Sequence, residues 1–377
     1  MLKSSVVYAP GPLRARSHLP ALSAQRLAPV PIVDVRDGGP RRHAIESRAR
    51  ARALRNACVG WLPGMTAGLL PLMDMVTRRW LLRSCSPYTP EVDAIAAELG
   101  LPGVWFLNGC YQWGCTALAC VRGDAPWLLR TLDWPFPGLG RHLEVARMQG
   151  AAGDFANVTW PGYVGVLTAS APGRFAACIN QAPMWRRTRH SWLRPCDIAL
   201  NALQTWKIRS VPPDHLLRAV FETCNTFGEA RHRLETTPIA RPVIYTLVGC
   251  HENELCVIER TEDGFVSRDH DTVAANDWLQ ATPAWEPRVA AEVLLTRTAD
   301  EAAENSRARR KHLAAWPAAC VKEFAWVSPP VLNSQTRVAA EMCPAAGVVR
   351  VVGYEQAHGQ ELPEPATLPC QVEPCGA

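Results

Sequence analysis

The chain has 14 cysteines but no C-x-x-C pair, which removes zinc-ribbon and thioredoxin-like spacing. It also has no G-x-G-x-x-G or G-x-x-x-x-G-K-[ST] loop, so nucleotide chemistry has no positive support. No run approaches the roughly 18 apolar residues of a membrane span. The opening stretch, Met1 to Pro10, lacks an apolar h-region, and the expectation is a soluble, cytoplasmic protein. His251-Glu252 and His270-Asp271 have neither H-x-x-x-H nor H-E-x-x-H spacing. Adjacent strand residues point to opposite faces, so no metal or other cofactor is expected. The charge excess is small, +5 with a pI near 8.6, and the Arg runs at 48–55 and 307–311 are short. A nucleic-acid partner would call for a larger, clustered excess with interleaved aromatics.

What is present is an ordinary globular balance, 48% apolar and 20% charged over 377 residues, with no need for disulfide staples. Most cysteines sit in apolar runs and read as small hydrophobes. Cys370 and Cys375, in a Pro-rich tail, would pair only in an oxidising compartment. Residues 1–30 read as a loose leader rich in Pro, Arg and Ser, and residues 361–377 as the tail. Helix is predicted over Arg42–Val59, Met65–Leu82 and Thr89 to Leu99, the last opening on Thr-Pro-Glu and stopping at Gly100. From Val104 the character changes. Strand-like runs occupy 116–121, 127–132, 142–148, 155–159, 163–169, 175–179, 243–250, 255–259, 264–268 and 348–353. Helices are predicted over 198–208, 215–222 and 290–312. Strand runs bracketed by helix runs predict an α+β class with αββα layers, without the β-α alternation of a doubly wound sheet.

One hairpin carries chemistry-bearing residues. Gly114-Cys115-Thr116 opens its first strand, Arg122-Gly-Asp-Ala-Pro forms the turn, and Arg130-Thr-Leu-Asp133 lies on the return. A cysteine opening a buried strand is ordinarily only packing. Here the hairpin folds Arg130 back beside Cys115, and a fixed cation favours the reactive thiolate. Asp133 is three residues from Arg130 and belongs to the opposite face of an ideal strand, so bringing both to Cys115 needs a bend, which Pro135 makes plausible. Trp113-Gly114 suits a strained turn, since Gly tolerates unusual φ/ψ.

This hairpin, with its G-C-T opening and R-x-x-D-W return, resembles the choloylglycine hydrolase and penicillin V acylase family, nearest its acid ceramidase and N-acylethanolamine acid amidase branch. Further segments agree in order: Leu107-Asn-Gly-Cys-Tyr111, Trp160-Pro-Gly-Tyr-Val-Gly-Val-Leu-Thr168, Pro172-Gly-Arg-Phe-Ala-Ala-Cys-Ile-Asn180, Ala275-Asn276-Asp277-Trp278 and Val331-Leu-Asn333. The resemblance covers about residues 30–355. It implies an N-terminal-nucleophile hydrolase whose precursor cleaves itself between Gly114 and Cys115. Residues 31–114 would then form a helical alpha chain and residues 115–360 a catalytic beta chain. The implied reaction is hydrolysis of a linear amide of a small, lipid-like N-acyl substrate. Acyl transfer to an amine, or a silent homologue, remain the alternatives.

The resemblance also implies roles. Cys115 attacks the carbonyl and forms a thioester. Arg130 sits beside the thiol, Asp133 holds the α-amine of Cys115, and Asn276 donates to the oxyanion. Asn180, Trp134 and Tyr163 contact substrate. A second arginine is expected from Asn305-Ser-Arg-Ala-Arg-Arg310. The S-x-x-R spacing selects Arg309, with Arg307 and Arg310 as neighbours that a solvated helix face would equally explain. The chain departs from the family pattern at Thr131, at Gln181-Ala182 and in a shortened turn at Gly123-Asp124. The tryptophans Trp105, Trp113, Trp134, Trp160 and Trp185 fit either an acyl pocket or the core.

Overall fold

The computed structural model describes residues 27–62, 68–111, 113–188, 190–280, 285–286, 299–317 and 322–372. Most of the expected leader (1–26), the start of the late helix (290–298) and Cys375 lie outside the described residues. The helices are α1 (Gly39–Glu46), α2 (Arg48–Trp61), α3 (Leu70–Arg83), α4 (Thr89–Leu99), α5 (Val104–Gly109), α6 (Arg194–Lys207), α7 (Pro213–Thr223), α8 (Phe227–Thr236) and α9 (Ala299–Ala314). None is long and apolar enough to cross a membrane.

Two sheets hold the molecule together. The first contains β1 (Ile32–Asp34), β4 (Glu144–Gly150), β5 (Gly153–Thr159), β6 (Thr168–Ala171), β7 (Phe175–Gln181), β9 (Val243–Val248), β10 (Leu255–Arg260) and β11 (Phe265–Arg268), in that spatial order. The second runs β12 (Val273–Ala274), β2 (Gly114–Arg122), β3 (Ala125–Asp133), β14 (Thr336–Cys343), β15 (Val348–Glu355) and β16 (Glu364–Pro365), with β17 (Cys370–Val372) also on β15. A small pair, β8 (Met184–Trp185) with β13 (Trp285–Glu286), stands apart.

The sheets face each other, with β2 and β3 against β7 and β9. Small side chains on β2 (Cys115, Ala117, Ala119) and on β7 (Ala177) are buried in the main core and let the layers approach. Helices α7 and α8 cover the first sheet, and α9 covers β2 and β12 of the second. A second apolar cluster of Leu118, Leu129, Leu313, Trp326 and Val331 seals that outer face. The order is therefore helix, sheet, sheet, helix, the expected α+β sandwich.

Local chemistry explains several boundaries. In the hairpin, Arg122 pairs with Ala125 across a two-residue turn, and Gly123 takes the positive φ (59°) that such turns demand. Helix α4 stops at Gly100, left-handed with φ 61°. The single helix expected over Arg42–Val59 is two helices broken at Ser47. The Ser47 hydroxyl donates to Glu144 Oε2 at 2.7 Å, beside His43 Nε2 at 2.5 Å. This buried cluster ties the upstream helices to β4.

Residues 31–114 carry, besides their helices, the strand β1, which pairs in parallel with β4. The Pro-rich tail from 361 adds β16 and β17 to the second sheet, and Pro29 bridges to Leu368. Strand β14, unpredicted, is central between β3 and β15. Its Arg337 and Glu341 hide it. Both are buried, and Glu341 Oε1 accepts from Trp326 Nε1 at 2.8 Å and from the Phe324 N–H at 2.9 Å. The helix α8 was likewise not anticipated.

At one place two backbones touch. A Cβ on Gly353 would lie 2.0 Å from Gly140 O, and one on Gly140 would lie 2.1 Å from Tyr354 O. Neither partner is a side chain that can move aside. Gly353→Ala is expected to lose about 1–3 kcal/mol or more through overpacking, read as a lower urea midpoint at unchanged slope.

Candidate active site

Cys115 is the second residue of β2, completely buried, in a chain continuous through Gly114. Register places it opposite Leu132, with Arg130 opposite Ala117 and Asp133 opposite Gly114. Cys115 and Arg130 therefore share the face between the sheets. Asp133, Thr116 and Gly114 share the other face, beneath α9. No bend brings Arg130 and Asp133 together: they approach Cys115 from opposite sides of the sheet. A register shift between Thr336 and Val338 on β14 lies beside Asp133.

On the inner face, the Cys115 thiol reaches the Ile179 carbonyl at 3.6 Å. Arg130 donates to the same carbonyl through Nη2 at 3.3 Å and to Thr168 Oγ1 through Nε, while its Nη1 is buried without a partner. Burial pushes the Cys115 thiol up to about 12; Arg130 opposes this, Asp133 and Cys178 add to it, and Arg309 opposes it. In the continuous chain the sulfur is a thiol at neutral pH.

On the outer face, Arg309 of α9 is the hub. Its Nη1 donates to the Cys115 carbonyl at 2.5 Å and to Thr116 Oγ1 at 2.8 Å, and its Nη2 to Asn276 Oδ1 at 2.9 Å. Asp133 Oδ2 lies 3.6 Å from Nη1. Asp133 also accepts from Asn333 Nδ2 and Thr336 Oγ1, each at 2.9 Å. Arg310 instead pairs with Asp277 at 3.1 Å, and Arg307 is exposed. Of the three arginines only Arg309 enters the site.

Asn276 meets the Cys115 backbone directly. The Cys115 N–H donates to Asn276 Oδ1 at 2.9 Å, and Asn276 Nδ2 donates to the Gln181 carbonyl at 2.8 Å. Two donors converge on Oδ1, which settles the amide's orientation. In the continuous chain the acceptor for the Cys115 peptide nitrogen is thus Asn276; the role expected of Asp133 concerns the free α-amine. Ser306 Oγ accepts from the Asn276 N–H at 2.8 Å and donates to Asp277 Oδ1 at 2.7 Å.

Glycine at 114 has a spatial cause. Its backbone is strand, outside the positive-φ set, so the expected strained turn is absent. A Cβ there would press 3.2 Å from Asp133 Cβ. The expected substrate contacts divide. Trp134 lines an apolar cavity with Leu54, Cys58, Leu99, Phe106 and Phe136. Tyr163 lies elsewhere, buried with its hydroxyl on Asp214 at 2.8 Å. Asn180 spends its amide on the carbonyls of Ala274 and Ala275, at 3.2 and 3.0 Å, holding the segment that carries Asn276. Of the five tryptophans, only Trp185 is exposed.

Sequence reasoning missed Thr116, Thr168, Ser306, Asn333 and Thr336 as partners. Two had a signal: Asn333 ends the Val-Leu-Asn segment and Ser306 opens S-x-x-R. The threonines lie in strands where nothing in the local pattern marks them.

No family model matches the chain. It is similar to the N-acylethanolamine-hydrolyzing acid amidase of Oryctolagus cuniculus, 26% identical over 185 residues, 47% of this chain and 49% of that protein. It is similar to that of Mus musculus at 25% over 224 residues, 57% of each. The chain spans about half the length of the curated relatives it matches. These relatives fall on the branch that the hairpin motifs indicated. Among solved structures, a Caenorhabditis elegans N-acylethanolamine-hydrolyzing acid amidase ortholog aligns at TM-score 0.43 and 18% identity, over 61% of this chain and 93% of that one. A mutant conjugated bile acid hydrolase from Clostridium perfringens aligns at 0.38 and 9%, over 69% and 92%. Likenesses this low carry no weight; the fold class rests on the two sheets and their helices.

The buried thiol yields a test. Native alkylation of the continuous chain at about pH 8 is expected to modify the exposed Cys85 and Cys196 and spare Cys115. Peptide mass mapping reads this, and Cys115 labelling as fast as Cys85 would contradict its burial.

Proposed function

We propose that this protein is an N-terminal-nucleophile amidase that matures by cleavage between Gly114 and Cys115 and then hydrolyses a linear amide of an N-acyl substrate through a Cys115 thioester. The observation that carries the reading is the Cys115 N–H held at 2.9 Å by Asn276 Oδ1, with Arg309 on the Cys115 carbonyl. A side-chain network converging on both polar groups of one strand residue is unusual, because ladder partners ordinarily satisfy them. The acid amidases matched by sequence support amide hydrolysis as the reaction.

Maturation begins when Cys115 Sγ attacks the Gly114 carbonyl carbon as its proton leaves. The C–N bond breaks, the nitrogen takes up a proton, and a thioester to Gly114 remains. Water then hydrolyses that thioester, giving a Gly114 carboxylate and a Cys115 bearing both thiol and α-amine. The amine, with an ordinary pKa of roughly 7.7–8.0, supplies the base that the buried thiol lacks. It takes the thiol proton during attack on substrate and passes it to the leaving amine. Asn276 and Asp133 flank it, and Arg130 stabilises developing thiolate. Asn276 Nδ2 keeps one hydrogen beyond that used by Gln181, and this donates to the oxyanion. The acyl chain enters the apolar cavity beside Trp134.

Intact-mass analysis is expected to find two chains, one ending at Gly114 and the other beginning at Cys115. Cys115→Ala removes both cleavage and turnover. A single uncleaved chain that still hydrolyses amides would remove the amine from the mechanism. In the mature enzyme, Asn276→Ala is expected to lower kcat roughly 10²–10³-fold with little change in KM, measured on material whose cleavage is verified by mass.

A further inference from the structure

A second cavity opens on the other side of Cys110, between α3 and α6. Its walls are largely apolar, with Val76, Trp80, Phe106, Met184, Ile198 and Trp206 among them. One cation faces into it. Arg241 lines this cavity and also a smaller polar one that adjoins it.

The Arg241 guanidinium rests 4.2 Å from the centroid of the Tyr111 ring. Among the described residues it makes no hydrogen bond or ion pair. Its surroundings are fixed rather than loose. The Tyr111 hydroxyl donates to Asp214, and its carbonyl accepts from Gln181 Nε2 at 2.7 Å. Glu262 and Arg187 line the adjoining cavity, but no ion pair within 4.0 Å joins either to Arg241. A guanidinium stays charged and offers five donors in a planar fork suited to a carboxylate. The side chain is half-buried: burial lowers its pKa, while Tyr111, Asp214 and Glu262 favour its charge without taking up its donors, which leaves them to an anion.

We infer that the cavity between α3 and α6 binds a single-chain amphiphile with a carboxylate head, the head on Arg241 and the chain along the apolar wall. Only the origin of the ligand rests on the amidase reading: hydrolysis of an N-acyl amide releases an acid of this class. The binding itself requires no cleavage. The cavity is present in the continuous chain, so product acid would bind precursor and mature enzyme alike.

Dodecanoate and dodecanol, equal in chain length and different in head, are the probes. Their binding is measured by calorimetry on the full Cys115→Ala chain, which does not turn over. Dodecanoate is expected to bind roughly tenfold or more tightly than dodecanol, the scale of a charge-assisted pair. Arg241→Gln erases that difference and Arg241→Lys keeps part of it. Ala202→Trp, at an exposed α6 position lining the cavity, weakens both probes while Arg241 remains. Equal affinity of the two probes, a preference that survives Arg241→Gln, or undiminished binding in Ala202→Trp would overturn the inference. Intact-mass analysis of the wild-type chain tests the amidase reading separately, so the two fail independently.

Discussion

The arrangement around Cys115 depends on the burial of one charge. Arg309 is 4% exposed, and a guanidinium so far from water must be surrounded by acceptors or it destabilises the fold by several kcal/mol, on the order of 3–5. Its acceptors come from three parts of the chain: the Cys115 carbonyl and Thr116 on β2, Asn276 after β12, and Asn305 one turn back on its own helix. Satisfying the charge therefore docks α9 on the second sheet and brings Asn276 to the Cys115 nitrogen in the same act. Ser306, one turn earlier on the helix, holds the Asn276 backbone from the other side.

A strand presents its two faces to different layers, and the site uses this. The thiol and Arg130 belong to the inner face, where the first sheet supplies Ile179 and Thr168. The backbone nitrogen of Cys115 is reached from the outer side, through Asn276, Arg309 and the Asp133 cluster. The direct contacts of sulfur and nitrogen thus come from different groups, while Asp133 and Arg309 still act on the thiol through their charge.

The two cavities meet at Phe106 and Cys110, which line both, shortly before Cys115 in the chain. Trp113 packs between Tyr111 and Trp134, tilted on the first and edge-on to the second, at 4.9 and 5.5 Å between ring centroids. These buried rings belong to the main core that also encloses the Cys115 thiol.

Much of this was written in local pattern. The hairpin announced itself by two apolar runs around Gly123-Asp124, and the pairing of Cys115 with Arg130 on one face follows from period two alone. The S-x-x-R spacing that the family resemblance implies singled out Arg309 from its neighbours, and the helix puts Ser306 and Arg309 on one side. The opposite placement of Asp133 was already implied by strand periodicity. The bend invoked to escape it was not needed, since Asp133 acts from the face it naturally occupies. Strand β14 stayed hidden because Arg337 and Glu341 are buried polar residues whose partners lie far away in sequence. Which atom holds the Cys115 nitrogen was decided only by tertiary structure, because Asn276 is 161 residues away and its amide orientation is set by two donors from different elements. The sequence by itself determined which residue types face which layer; their meeting at Cys115 required both sheets to pack and α9 to bury its arginine.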